Sequence, residues 1–308
     1  MWLAADAWFL TGATASGKTA VGVELARKLN AEIISLDSMS LYRGMNIGTA
    51  KPTAAERAAV PHHLLDVIGP DEEYSLAQFV AAAQECAQQI SSRGRPVLFV
   101  GGTPLYLKSL LRGIFVGPPA DWELRRELTA AAEAHGPPFL HEQLAAIDPA
   151  AAKRLHPRDV RRVVRAIEVF RKTGRPISDW QQQFEHAVPA EECRVFVLDW
   201  PREELYARID HRAEAMFAAG LVNEVRSLLA QTGFGRTASQ AVGYREVIEY
   251  LKEVRSLPET IELVKTRSRQ FAKRQLTWLR GLSECRWLSV NAAENPAALA
   301  ERVLTSAV

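Results

Sequence analysis

Cysteine is scarce. The 308 residues hold three, Cys86, Cys193 and Cys285, far apart and with no CxxC pair. That excludes a disulfide framework and a zinc ribbon, and it fits a reducing cytoplasm. Long apolar runs are lacking as well: none approaches the ~18 residues of a membrane helix. The first residues have neither the basic start nor the cleavage site of a signal peptide, so a cytoplasmic chain with no membrane partner is expected. There is no internal repeat and no low-complexity linker. Net charge is almost absent, since 38 Lys and Arg face 36 Asp and Glu. What is present is ordinary for a globular protein. Hydrophobic residues make up 47% and charged residues 24%, which excludes disorder, collagen and coiled coil. At ~150 residues per domain, the length allows about two domains or one large one.

The small net charge hides a polarised distribution. Between Lys153 and Arg175 nine Lys and Arg stand against Asp159 and Glu168, a net +7. Between Lys265 and Arg286 seven stand against Glu284, a net +6. The rest of the chain is therefore net acidic. Two basic surfaces aimed at something anionic would explain the split, and so would two solvated helix faces.

Strand and helix patterns alternate in the first third. Ala7–Leu10 is apolar and ends in a glycine-rich loop. Thr19–Leu29 carries Val21, Leu25 and Leu29 at helical spacing. Glu32–Leu36 reads as a short strand ending at Asp37, and Ser75–Ser92 as a helix. Pro96–Val100 is a continuous apolar run, the mark of a strand buried on both faces, ending in Gly101-Gly102-Thr103. This alternation predicts a parallel sheet wrapped by helices. After Gly117-Pro118-Pro119 the texture changes, and Asp121 to about Glu185 is helical without a convincing strand. Arg194–Leu198 then reads as another buried strand, followed by helical stretches from about Arg202 to Gln231. Ile261–Leu282 is a long helical pattern, and Arg286–Val290 a last strand. The expected organisation is a P-loop α/β core over 1–118 and 190–308, interrupted by an all-helical insert over 119–189.

Residues 12–19 read Gly-Ala-Thr-Ala-Ser-Gly-Lys-Thr, which fits G-x-x-x-x-G-K-[ST] with a strand before it and a helix after it. The glycines let the backbone curl so that N–H groups point at an anion, and the helix N-terminus adds positive potential. Lys18 supplies a full charge, and the Thr19 hydroxyl can ligate Mg²⁺. The loop predicts binding of a di- or triphosphate. Nucleotide hydrolases usually hold Mg²⁺ with an acid after a second apolar strand. Here that strand is followed by Gly101-Gly102-Thr103, and the acid at a strand end is Asp37 instead. Strand carboxyl ends of a parallel sheet gather at one edge, so Asp37 is expected near the phosphate loop, as a functional carboxylate or else as a helix N-cap or loop solvator.

These segments resemble the tRNA dimethylallyltransferases, also called tRNA isopentenyltransferases. The matching pieces are GATASGKT (12–19), LDSMSLYRGMNIGTAKP (36–52), VPHHLLDV (60–67), VGGTPLYLKSLLRG (100–113) and RLHPRDVRRVVRAIEVF (154–170). ARIDHRAEAMFAAGLVNEV (207–225), AVGYRE (241–246) and TRSRQFAKRQLTWLR (266–280) follow in family order. Two departures, Ala13 for a common proline and Pro104 for a common glycine, remove no functional group. No zinc-finger extension of the eukaryotic kind is present, so the resemblance is to the bacterial type.

The resemblance implies transfer of a dimethylallyl group from its diphosphate to N6 of adenosine 37, beside the tRNA anticodon. It implies Asp37 as general base, with Lys18, Thr103 and Arg212 also catalytic. The diphosphate would be held by Gly12, Ala13, Thr14, Ala15, Ser16, Gly17, Lys18, Thr19, Arg208 and Arg212, with Mg²⁺ on Thr19. It implies tRNA contacts at Asp37, Ser38, Met39, Ser40 and Thr103, at Arg125, along Arg161, Arg162, Val163, Val164 and Arg165, and at Gly243, Tyr244 and Arg245. On the C-terminal helix it implies Arg267, Phe271, Lys273, Arg274, Gln275, Trp278 and Arg280. A monomer is expected.

The residues themselves leave some of this open. Arg208 and Arg212 lie i, i+4 on one helix face, where either could instead pair with Glu204 or Asp210. Thr103 sits at a strand end and would meet the adenosine, yet the preceding Gly-Gly is also explained by tight strand-to-helix packing. His62-His63 is read as structural, because adjacent residues point apart and no third metal ligand presents itself. Arg158, Arg161, Arg162 and Arg165 form one helical stripe beside an apolar stripe of Val160, Val163, Val164, Ile167 and Phe170. Arg267, Phe271, Arg274 and Trp278 mix cations and aromatics, which suits stacking on bases, although such aromatics are more often core. The competing readings are an adenylate isopentenyltransferase, a small-molecule P-loop kinase and a P-loop RNA-binding module without chemistry. Free-nucleotide enzymes need no pair of basic helices, and Asp37 beside a complete loop argues against a module without chemistry.

Overall fold

A computed structural model describes residues 7–115, 117–180 and 188–307. In chain order it runs β1 (Trp8–Gly12), α1 (Lys18–Leu29), β2 (Glu32–Ser35), α2 (Ala54–Ala59), β3 (His62–His63), α3 (Leu76–Ser92), β4 (Val97–Val100) and α4 (Pro104–Arg112). Helices α5 (Trp122–His135), α6 (Pro137–Ile147), α7 (Pro149–Arg154), α8 (Val160–Thr173) and α9 (Ile177–Trp180) follow. The remainder is β5 (Arg194–Asp199), α10 (Arg202–Ala218), α11 (Leu221–Gln231), α12 (Tyr244–Leu251), α13 (Leu257–Arg280), β6 (Cys285–Ser289) and α14 (Pro296–Thr305). The chain separates into two compact units, Met1–Leu111 with Ala187–Val308, and Arg112–His186.

The first unit is built on a six-stranded sheet in the order β3-β2-β4-β1-β5-β6. Every adjacent pair is parallel. The apolar runs explain this. A strand whose successive side chains are all apolar must be covered on both faces, and helical crossovers supply that cover. Phe9, Leu10, Ile34, Leu98, Phe99, Val195 and Phe196 are all buried, and Phe9 stacks on Phe99 across the β1–β4 register. Strands β1, β2, β4 and β5 fall where the apolar runs predict them. Strand β3 is two residues long, has no run to announce it, and lies at the sheet edge.

The regular structure in the described residues of the second unit is all helical. Leu128, Leu140, Leu144, Val163, Val164 and Ile167 form its core. The expected edge at Gly117-Pro118-Pro119 lies inside this unit. The Pro118 carbonyl accepts from Arg165 and the Pro119 carbonyl from Lys172, which ties that stretch to α8.

Helix α8 corrects part of the expected RNA surface. Val163 and Val164 are buried at 0% and 4% exposure, so their side chains hold the unit together and face no ligand. Arg125 and Arg165 converge on Glu168, which is fully buried and also accepts the Asp121 N–H. Burial alone would raise the Glu168 carboxyl. Hydrogen bonds from Arg125, the Asp121 N–H and Arg165 outweigh it and hold the group below its ordinary value. Both arginines are therefore bracing residues here. Arg158 and Arg161 remain exposed, and so does Arg162, which has only a surface pair with Asp159.

Removing the Glu168 carboxylate leaves two guanidinium groups and a backbone N–H facing apolar packing. Glu168→Ala should destabilise the protein by about 3–5 kcal/mol in urea unfolding. Arg162→Ala should cost less than about 1 kcal/mol. Because the folded carboxyl titrates lower than the unfolded one, the Glu168 contribution is complete above the ordinary carboxylate value and is lost as pH falls through the folded one.

Candidate active site

Four parallel strands deliver their carboxyl ends to one edge. Strand β1 ends at Gly12, β2 runs through Leu36 to Asp37, β4 leads into Gly101-Gly102-Thr103, and β5 leads into Trp200. The Gly101 N–H donates to the Leu10 carbonyl at 3.2 Å, and the Thr103 N–H to the Leu36 carbonyl at 3.1 Å. Gly12 has φ +147°, and a Cβ there would lie 2.9 Å from the Leu198 carbonyl oxygen. A Cβ on Gly101 would overlap the Leu36 backbone, and one on Gly102 would lie 2.7 Å from Gln275 Nε2. Gly101 is thus required by the approach of a neighbouring strand end, while Gly102 makes room for a side chain of α13.

The phosphate loop closes on α1. Gly17, in the left-handed region at φ 85°, is the N-cap and supplies no side-chain cap. The first N–H groups of α1 are left for an anion. Lys18 Nζ reaches back to the Ala13 carbonyl at 2.5 Å and to Ser16 Oγ at 3.3 Å. Desolvation, and after it the nearby Arg212, lower its pKa to about 7 against a partial offset from Asp37. Arg212 is also pushed below its ordinary value by burial, against the pull of Asp37. Two cations crowded beside one carboxylate make a site short of negative charge.

The alternative of simple ion pairs for the arginines fails in part. Asp210 is taken by Arg269 at 2.6 Å. Arg208 instead donates through Nε to the Ala15 carbonyl at 2.9 Å and lies over the Trp200 ring, while Glu204 acts on it only through its charge. His62 and His63 form β3; His62 Nδ1 lies 2.7 Å from the Val60 carbonyl, and His63 Nε2 lies 2.7 Å from Glu32.

Two cavities meet at this edge. One, of about 700 Å³, is lined by Thr14–Ala20 of the loop and α1, by Arg208 and Arg212 of α10, and by Ser35, Ser40 and Lys51. The other, of about 360 Å³, is lined by Ser38, Met39, Thr103, Gln240, Ala241, Ser268 and Arg274. Asp37, Thr14, Arg212, Met216, Phe271 and Gln275 line both. Asp37 Oδ1 accepts the Met39 N–H at 2.8 Å, a turn of its own backbone, so the carboxylate caps no helix. Among the described residues no donor engages Oδ2. Thr103 Oγ1 accepts the Ser38 N–H at 3.1 Å, which leaves the hydroxyl proton free to donate toward the smaller cavity.

A family model described as "IPP transferase" matches residues 40–282. The chain belongs to the IPP transferase family. A second model, "Isopentenyl transferase", matches residues 5–68, the part that holds the phosphate loop and Asp37. A tRNA dimethylallyltransferase of Pelotomaculum thermopropionicum is 44% identical over 96% of this chain and 94% of its own. One from Symbiobacterium thermophilum is 46% identical over 92% and 89%. Among solved structures, the tRNA isopentenylpyrophosphate transferase of Bacillus halodurans is 36% identical, with a TM-score of 0.70 over 98% of this chain and 97% of that one. A eukaryotic dimethylallyltransferase acting on tRNA is 27% identical, with a TM-score of 0.80 over 97% and 77%.

The IPP transferase residues expected to meet RNA divide into exposed and buried sets. Phe271, Lys273, Arg274, Trp278 and Arg280 are exposed on α13, with Arg274 over the Phe271 ring. Arg245 is exposed on α12 and paired with Glu249. Ser38 and Met39 line the smaller cavity, and Ser40 is buried against the larger one. Three expectations are corrected. Gln275, at 4% exposure, accepts the Thr14 N–H at 2.8 Å and donates to the Gly102 carbonyl at 2.5 Å, so it braces the phosphate loop against the β4 turn. Tyr244 is fully buried, and its hydroxyl donates to Glu224 at 2.6 Å. Arg267 pairs with buried Glu246, which also accepts the Gly243 N–H at the start of α12.

Sequence reasoning missed the braces of the wall between Asp37 and Pro52. Glu224 accepts the N–H groups of Asn46, Ile47 and Gly48. Buried Lys51 donates to the Tyr42 carbonyl and to Asp66, which also takes Arg57. Trp200 donates to the Ser16 carbonyl. None of these has a spacing signal, because each partner lies far away in sequence or on another element.

Lys18 generates a signed prediction. With a pKa of about 7 in the free protein, it gains a proton when a phosphate dianion arrives. Calorimetric titration of an inert prenyl diphosphate analogue at pH 8, in buffers of different ionisation heat, should show uptake of up to about one proton. Uptake should shrink toward pH 6, affinity should fall as pH rises above 7, and Lys18→Ala should abolish both trends.

Proposed function

We propose that this chain transfers a dimethylallyl group from dimethylallyl diphosphate to N6 of adenosine 37 in the tRNA anticodon loop. The observation that carries this reading is the position of Asp37 where the phosphate-loop cavity meets a second cavity, one bordered by Phe271 and Arg274 of α13. Donor and acceptor enter from different sides and meet at one carboxylate.

The diphosphate lies on the loop N–H groups, Lys18 and Arg212, with Arg208 bound to the loop at the Ala15 carbonyl. Its oxygens gain negative charge as the C1–O bond breaks, and these donors stand where that charge develops. Adenine N6 is a weak nucleophile because its lone pair is delocalised into the ring. Asp37 accepts the N6–H, localises the pair, and takes the proton as the N6–C1 bond forms. The Thr103 hydroxyl donates to the adenine and holds its edge toward Asp37. Among the described residues there is no cluster of three or more His, Cys, Asp or Glu able to hold a metal. The residues present fit Mg²⁺ only as one hydroxyl, Thr19, alongside oxygens of the diphosphate. When bound there, Mg²⁺ would neutralise the leaving group.

Adenosine 37 is stacked in its loop and must be splayed out to reach Asp37. The exposed faces of α13 and α8 suit this: the first offers aromatic rings and cations for unstacked bases, the second offers guanidinium groups for phosphates. No helix of the described residues is long and apolar enough to cross a membrane. We read the protein as a monomer of the cytoplasm, the compartment of the proposed tRNA substrate. An adenylate isopentenyltransferase would share the donor half but would need neither cationic face.

Asp37→Ala should lower turnover by about 10²–10⁴ at saturating substrates and leave tRNA affinity near the wild-type value. Turnover assays with intact tRNA and with AMP as acceptors test the reading: transfer to AMP alone would sink it. For the RNA surface, Arg161→Ala, Arg162→Ala and Arg274→Ala should each flatten the salt dependence of tRNA binding by ~0.7 to 0.9 units of log K per log salt. Filter binding across a salt series reads this out, and donor affinity should stay constant in all three.

A further inference from the structure

Trp200 follows β5 directly and is 8% exposed. Its indole Nε1 donates to the Ser16 carbonyl at 2.9 Å. The Arg208 guanidinium lies 4.2 Å from the centre of its ring. Arg208 Nε donates in turn to the Ala15 carbonyl at 2.9 Å. One side chain therefore holds a loop carbonyl itself and supports the cation that holds the carbonyl before it.

A trans peptide is planar, and its N–H points opposite to its C=O. Fixing the Ser16 carbonyl on Trp200 turns the Gly17 N–H away from Trp200. Fixing the Ala15 carbonyl on Arg208 turns the Ser16 N–H away from Arg208 and into the loop, where it donates to the Ala13 carbonyl at 3.3 Å, so of the two amides only that of Gly17 is left for a ligand. Ser16 and Gly17 both line the larger cavity. Gly17 has no side chain to stop this peptide from turning, so the orientation of its N–H must come from outside the residue. An aliphatic residue or phenylalanine would fill the same core space but offers no donor. A small polar residue could donate but gives no face for a guanidinium. Tryptophan supplies both.

We propose that Trp200 is a positioning residue of the donor site, which presets the Gly17 amide of the phosphate loop and seats Arg208. This rests on the reading of the loop as the prenyl diphosphate site. It assigns Trp200 no contact with either substrate.

The test compares Trp200→Phe, which keeps a ring under Arg208 and removes the N–H, with Trp200→Leu, which removes both. An inert prenyl diphosphate analogue is titrated calorimetrically, and KM is measured separately for donor and tRNA. Trp200→Phe should weaken analogue binding and raise the donor KM about 5-fold, with the tRNA KM at its wild-type value. Trp200→Leu should weaken binding further. In that background Arg208→Ala should add less than it does in the wild type. Wild-type analogue affinity in Trp200→Phe would overturn the proposal. So would a lowered unfolding midpoint with equal changes in both KM values, which marks a residue that only fills the core. Failure of the wild-type protein to bind the analogue would refute the donor-site reading itself, and the positioning role with it.

Discussion

The site depends on backbone meeting backbone at the carboxyl edge of the sheet. Gly12 approaches the end of β5 and Gly101 lies against the Leu36 backbone, at separations that exclude a Cβ, and Gly102 lies against Gln275 and the Gly12 carbonyl, where a Cβ would force both to give way. These approaches bring the phosphate loop, Asp37 and Thr103 into one cleft. Side chains as short as Asp and Thr reach a shared substrate only if their strands end this close together. Parallel pairing supplies the rest, since it sends every strand end to the same side.

Within that cleft the charges are left unbalanced. Lys18 and Arg212 are partly desolvated beside a single carboxylate, and Lys18 is driven down to about 7 as a result. A site held in this state binds a multiply charged anion more strongly than a neutralised one would, because the anion relieves repulsion already present. Elsewhere the protein does the opposite. Glu168, Glu224, Glu246 and Asp66 each collect several donors and leave none of the local charge to a ligand. Bracing residues and binding residues differ less in type than in whether a carboxylate of the chain already satisfies them.

That difference decides how well the basic segments could be read. Arg165 and Arg267 look in sequence like members of cationic stripes, but each is spent on a buried glutamate, as is Arg125 outside them. Arg161, Arg162 and Arg274 belong to the same stripes and are exposed. Helical spacing places a side chain on a face. It does not say whether a carboxylate distant in sequence, or one turn along the helix, has been carried into the core beside it.

The sequence by itself determined the parallel α/β core, the phosphate loop with its strand and helix, the acid at the end of β2 and the helical character of the second unit. These follow from local facts: apolar runs of strand length, glycine spacing, and periodicity within a single element. Only the tertiary structure decided that Gln275 joins the loop to the β4 turn, that Tyr244 is buried, and that Trp200 and Arg208 hold two loop carbonyls. It also put the helical unit's edge before Pro118. Each of these depends on contacts between segments, with partners as far as 261 residues apart, and such a contact leaves no period in the sequence of either partner.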